Sequence, residues 1–268
     1  MTKLLKALLI ILLVTFTYNI YADIEDDHIS MPSGGRKIII AADYWCPYNC
    51  TPADKNPGYL VELAKRALYI YGIDVEYKLM SWHQALEDIK LGKIDGIIGI
   101  TNYQDLNLAV TNLPLEYSNT SSFTRRESTW IYDNIGSLRD KKLGLIMDYS
   151  IDDAINDYFT MNFYSSPNKF FIADGENAVG QLINSLVDAE IDIYVEDKRV
   201  VADYARRHDL TLEIRDAGEI DKVNLPIYIG LSKKLDNYEK YIEHLENGIA
   251  LLKATGEYDH LRQKYNMD

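Results

Sequence analysis

An apolar strand, Lys37 to Ala42, runs directly into the loop Asp43-Tyr44-Trp45-Cys46-Pro47-Tyr48-Asn49-Cys50, and the chain then alternates helix and strand as far as Thr101. This alternation constrains the fold more than any other feature, because strands that alternate with helices build mainly parallel sheets with helices on their faces. Within it, Trp82-His83-Gln84-Ala85-Leu86 opens a helix whose apolar stripe is Trp82, Ala85, Leu86 and Ile89. Gly92-Lys93-Ile94-Asp95 then turns into the strand Gly96 to Ile100. Rings and a carboxylate at a strand's carboxyl end stand where open α/β sheets bind small ligands. The pattern therefore points to binding of a small polar molecule.

The same unit recurs further along. Val179, Leu182, Ile183 and Leu186 repeat the apolar stripe, and Ala189-Glu190-Ile191-Asp192 leads into Ile193-Tyr194-Val195. Two lobes follow from this echo. Strands are expected near 37–42, 74–79, 96–101, 142–147, 169–172, 191–195 and 225–231, with helices between them. Residues 112–130, rich in Ser, Thr and Asn around Pro114, read as a crossover between lobes, and a second crossover is expected at 217–225.

The amino terminus has the layout of a secretory signal peptide: basic Lys3 and Lys6, an apolar run from Leu8 to Phe16, and a polar end closing on Ala22. Cleavage after Ala22 is expected, although Ile20 is large for such a site and an uncleaved anchor is the alternative. Residues 23–35, acidic and then Pro-Ser-Gly-Gly, read as a flexible leader. Removing the two signal lysines takes the formal charge from −13 to −15. An acidic surface repels phosphate backbones, which argues against nucleic-acid binding.

The order of these motifs, from the loop at Asp43 to the closing Gly256-Glu257-Tyr258 and Lys264-Tyr265, resembles the family 3 extracellular solute-binding proteins, periplasmic receptors of polar amino acid ABC transporters. The resemblance implies a two-lobe type 2 periplasmic-binding (Venus-flytrap) fold. Residues 36–115 and 222–268 would form lobe 1, and 116–221 lobe 2 with the crossovers. It also implies a monomer in the periplasm without a cofactor, which hands its ligand to a membrane permease. Carried over residue by residue, Asp43 supplies a carboxylate, Trp45 or Tyr48 an aromatic wall, and Trp82 a second ring. Thr101 and Asn102 face the α-amino end, and Ser150 caps a helix and donates to the ligand. Asp197 is the acid for the α-ammonium.

At the place of the family's carboxylate-gripping Arg this chain has Gln104 or Asn107, and no Arg occurs between Arg66 and Arg125. A guanidinium fork matches a carboxylate bidentately, so its loss removes the group that would grip an α-carboxylate. Arg125 or Arg126 could reach back, a helix amino terminus could hold the anion, or the ligand lacks a carboxylate. Asp148, at a place where the family usually has Gly, adds further negative charge. Asp43, Asp148 and Asp197 together would favour a cation, a basic amino acid or an amine.

Cys46 and Cys50 are the only cysteines and, in an oxidising compartment, read first as a disulfide that clamps the aromatic loop. A metal site would need further ligands, and the five His are scattered. No G-x-S-x-G, P-loop or H-E-x-x-H occurs, so no catalytic residues are assigned. The alternatives to a transport receptor are a ligand sensor docking on a membrane sensor and a periplasmic dehydratase-like enzyme on the same fold.

Overall fold

The computed structural model describes residues 36–101, 106–220 and 224–267. The expected signal peptide, the leader, Asn102 and Gln104 lie outside the described residues.

Two sheets organise the chain. In the first, β1 (Arg36–Ala42), β2 (Ile73–Leu79) and β3 (Gly96–Ile100) run parallel. β11 (Leu225–Ser232) lies antiparallel beside β3 and pairs on its far side with β4 (Leu108–Val110) and β5 (Glu116–Ser118). In the second, β7 (Leu143–Ile146), β8 (Phe170–Ala173) and β9 (Ile193–Asp197) run parallel. β6 (Thr120–Arg125) lies antiparallel between β9 and β10 (Ile214–Glu219). The spatial orders are β2-β1-β3-β11-β4 and β8-β7-β9-β6-β10, so five strands correspond in order and β5 is an addition to the first sheet. Each is parallel except for a single reversed strand, and that strand comes from a connection between the sheets.

The elements form where the side-chain pattern lets them. β1 is apolar on both faces, with Ile38, Ile40, Ala41 and Ala42 all buried, as a central parallel strand requires. β2, at the edge, alternates buried Ile73, Val75 and Tyr77 with Asp74, Glu76 and Lys78. Helix α1 (Tyr59–Tyr69) buries Leu60, Leu63, Ala64, Ala67 and Leu68, one face at helical spacing. Helix α2 (Trp82–Leu91) starts on Ser81, whose hydroxyl accepts from the Gln84 amide at 3.2 Å, and stops at left-handed Gly92. Helix α3 (Asp153–Asn162) connects β7 to β8, and α4 (Ala178–Val187) buries Val179, Leu182, Ile183 and Leu186 before β9. Helix α5 (Lys198–Arg207) follows β9, and α6 (Tyr238–Thr255) and α7 (Glu257–Lys264) close the chain.

Two expectations need correction. The stretch 112–130 is not only a connection, because it contains β5 and β6. The helix expected to open at Ser150 begins at Asp153, and its cap is Asp152, whose carboxylate accepts from the amides of Ala154 and Ile155 at 2.9 and 3.1 Å.

One glycine fixes the loop after β1. Gly58 has φ 121°, and a Cβ there would lie 2.5 to 2.8 Å from Tyr48 O, Asn49 Cα and Cys50 N, all backbone atoms. Its amide donates to Tyr265 Oη at 3.1 Å, which ties the loop to the carboxyl terminus. Gly58→Ala is therefore expected to destabilise the protein by about 3 kcal/mol through strain and overlap combined. Urea unfolding with an unchanged midpoint would refute the close approach.

Candidate functional site

The loop 43–50 is a tight, closed structure. Trp45 and Asn49 form an isolated bridge in which Trp45 N donates to Asn49 O at 2.8 Å, and Tyr48 N donates back to Trp45 O at 3.0 Å. Cys46 and Cys50 are disulfide-bonded across it with Cα atoms 4.8 Å apart. The Trp45 ring stacks on Tyr48, centroids 4.3 Å apart, and both side chains are almost wholly inaccessible to water. This loop leaves the carboxyl end of β1 and meets the ends of β3, β7 and β9.

Between these strand ends lies a cavity of about 60 Å³, enough for several waters at roughly 10–15 Å³ each. Asp43, Trp45, Trp82, Thr101 and Ser150, five of the residues singled out from sequence, line it. Tyr48 and Asp197 do not. Tyr48 lies behind Trp45, its hydroxyl 3.2 Å from Asp197 Oδ2 and accepting from Arg199 Nη1 at 3.1 Å. The Asp197 carboxylate caps α5, accepting from the amides of Arg199 and Val200 at 2.8 and 3.2 Å, and from Ser118 Oγ and Asn119 N at 3.0 and 2.9 Å. Its bonds are internal to the protein. Ser150 is not a helix cap; its hydroxyl accepts from Asn156 Nδ2 at 3.3 Å.

Asn49, Tyr149 and Glu196, not singled out from sequence, also line the cavity, as do Ser118 and Thr120. Glu196 is 6% exposed on β9, and its Oε1 accepts from Trp45 Nε1 at 2.9 Å and from the Asp197 amide at 2.7 Å. Its Oε2 accepts from Tyr194 Oη at 2.6 Å. Tyr149 donates its hydroxyl to Asp43 Oδ2 and sets its ring edge-on to Trp82, centroids 5.9 Å apart. The Trp45–Glu196 and Tyr149–Asp43 bonds join the loop after β1 to β9 and to the loop after β7, so the cleft is closed. Three further contacts cross the cleft. Tyr44 N donates to Glu176 O at 2.8 Å, Thr101 Oγ1 to Ser150 O at 3.5 Å, and His83 Nδ1 lies 2.6 Å from Asp148 Oδ2 at the exposed rim.

Burial sets the electrostatics. It pushes the Asp43 carboxyl up to about 6, against the hydrogen bond from Tyr149. It pushes Glu196 up to about 7, against hydrogen bonds from Tyr194, Trp45 and the Asp197 amide. Among the described residues no Lys, Arg or His lines the cavity. Arg125 is turned away, donating to the carbonyls of Leu186 and Ile191 at 3.2 and 2.6 Å, and Arg126 N bonds Glu213 O at 2.8 Å. No His, Cys, Asp and Glu cluster suited to a metal ion occurs among the described residues.

A model of the bacterial extracellular solute-binding proteins, family 3, matches residues 38–268. The chain belongs to this family. A search of curated proteins finds no match. Among solved structures, a histidine kinase sensor domain with similarity to periplasmic binding proteins is 20% identical with TM-score 0.70, over 86% of this chain and 96% of that one. An ancestral arginine-binding protein bound to arginine is 18% identical with TM-score 0.69, over 88% and 99%. GshT of Streptococcus mutans, described in glutathione import with the cystine ABC importer TcyBC, is 14% identical with TM-score 0.69, over 86% and 95%. At these identities the likeness shows the fold, the two-lobe architecture of periplasmic binding proteins, and the cavity of this family member lies between its lobes.

The cap assignment changes what a substitution at Asp197 does. Asp197→Ala strips α5 of its cap and leaves the Ser118 hydroxyl and Asn119 amide without their acceptor. A loss of about 2–4 kcal/mol in chemical unfolding is expected. Unchanged stability would refute the structural role.

Proposed function

We propose that the protein is an extracytoplasmic receptor that encloses a small, polar, positively charged ligand between its lobes and delivers it to an ABC transporter permease. The observation that carries this is the pair of buried carboxylates, Asp43 from one lobe and Glu196 from the other, facing one cavity with no basic side chain among its described lining residues. Buried carboxylates are stable when neutralised by protons or by a cation. Trp45 and Trp82 add ring surfaces to the same cavity, and ring faces attract cations as well as apolar groups. A basic amino acid or related amine has this chemistry. Because each lobe contributes to the cavity, the ligand stabilises the closed form by its extra affinity for that form.

The likeness to a sensor domain supports a second reading, in which the closed receptor docks on a membrane sensor. Uptake of labelled ligand by cells lacking the gene separates the two: transport is lost under the first reading and retained under the second.

The charge argument predicts a pH dependence. With no cation beside them, Asp43 is pushed up to about 6 and Glu196 to about 7 by burial. A bound cation lowers both, so below these values binding must release protons, and affinity falls as pH falls. Above pH ~8 both groups are already ionised and affinity levels off, while each proton released costs up to about tenfold per pH unit below that. Calorimetry with a cationic ligand is expected to give at least about tenfold weaker binding at pH 5.5 than at pH 8, with proton release visible from the buffer dependence of the heat. Tighter binding at the lower pH would refute a cationic ligand.

A further inference from the structure

Asn49 is 1% exposed, its Nδ2 donates to Asp43 O at 2.7 Å, and its Oδ1 has no hydrogen-bond partner. Such an orphaned buried acceptor costs free energy until a donor arrives. Asn49 lines the cavity, and its buried Oδ1 lies toward β3 at Gly99, where a Cβ would sit 3.5 Å from it and 3.6 Å from the Trp45 ring. Glycine at this position keeps the space beside Asn49 Oδ1 free of a side chain.

The amino termini of four helices are already taken by side chains of the protein itself. The α3 amino terminus is occupied by the Asp152 carboxylate and that of α5 by Asp197. The amino termini of α2 and α4 are capped by Ser81 and by Asn177, which accepts from Gly180 N at 3.0 Å. Arg125 is spent on backbone carbonyls. Among the described lining residues the two acids Asp43 and Glu196 and the Asn49 amide stand beside hydroxyls, with no basic side chain.

We propose that the ligand is an amine or guanidine that carries N–H donors and no carboxylate, with Asn49 Oδ1 as the acceptor that selects it. This rests on the cationic reading above. An ammonium or guanidinium can donate to the two carboxylates and to Asn49 together. The α-carboxylate of an amino acid would be buried beside two acids with no basic side chain among the described lining residues to balance it, and is rejected. A quaternary ammonium would keep the charge and the ring contacts but leave Asn49 unpaired.

The test uses calorimetry on the mature protein with three pairs that differ only by the carboxylate: agmatine and arginine, putrescine and ornithine, cadaverine and lysine. It adds the N-trimethyl analogue of the best binder, on wild type and on Asn49→Leu. In at least one pair the amine is expected to bind at least about tenfold tighter than its amino acid, and the trimethyl analogue at least about tenfold weaker than its parent. In Asn49→Leu that preference for the parent over the trimethyl analogue collapses, a ratio that general loosening of the fold leaves unchanged. An amino acid binding as tightly as its amine overturns the proposal and leaves the cationic receptor standing. A preference for N–H donors that survives Asn49→Leu overturns the role of Asn49. Silence of all six compounds beside binding of an anion or sugar overturns both readings.

Discussion

Closing this cleft removes two carboxylates from water, and the rest of the site is organised around that cost. Holding Asp43 and Glu196 ionised with no cation beside them costs about 3 kcal/mol apiece, from the displacement of their titration to about 6 and about 7. That cost is what is left after the hydrogen bonds from Tyr149, Trp45 and Tyr194 have offset part of the burial penalty. The same bonds make closure specific, because Tyr149 reaches Asp43 and Trp45 reaches Glu196 only when the lobes meet. A ligand that supplies positive charge thus removes the chief penalty of closure, and affinity and conformational change become one equilibrium.

The matched sheets explain why the carboxylates come from opposite sides. In each sheet the strand delivered by a helix, β3 after α2 and β9 after α4, lies next to the reversed strand, β11 or β6. The parallel strands of each lobe therefore present their carboxyl ends, and the loops that follow them, toward the connecting strands. The cavity collects residues from both sets: Asp43, Trp45 and Thr101 after β1 and β3, Tyr149 and Ser150 after β7, and Glu196 at the end of β9. This is the location that parallel α/β architecture assigns to ligands, realised twice and brought face to face.

The sequence carried the fold well because its central strands are continuous apolar runs and its helices have clean stripes. The strands it concealed are polar. Thr120-Ser121-Ser122-Phe123-Thr124-Arg125 reads as a loop, yet Ser121, Ser122 and Thr124 are buried. Ser122 donates to Gly218 O at 2.8 Å and Thr124 to Asp192 O at 3.0 Å, so internal hydrogen bonds replace the apolar signal. The candidate site was legible where an acid or a ring follows closely on a strand's end, as at Asp43 and Trp45. It was obscured at Glu196 because a buried Glu at a strand end looks the same as a solvated one. Asp197 looked like the ligand's acid, although an Asp placed just before Lys198-Arg199-Val200-Val201 also bears the mark of a helix cap.

The rim contact between His83 and Asp148 shows by contrast where the closure energy resides. Asp148 holds the His83 imidazole above its ordinary range, but the two side chains are 48% and 46% exposed. Ion pairs that wet contribute about 0–1 kcal/mol and weaken with salt. Neutralising even one interior carboxylate is worth more than that, so the rim pair trims the balance without setting it. Control of closure therefore lies with whatever enters the cavity, which is the property a receptor needs if its closed surface is to report occupancy to a partner.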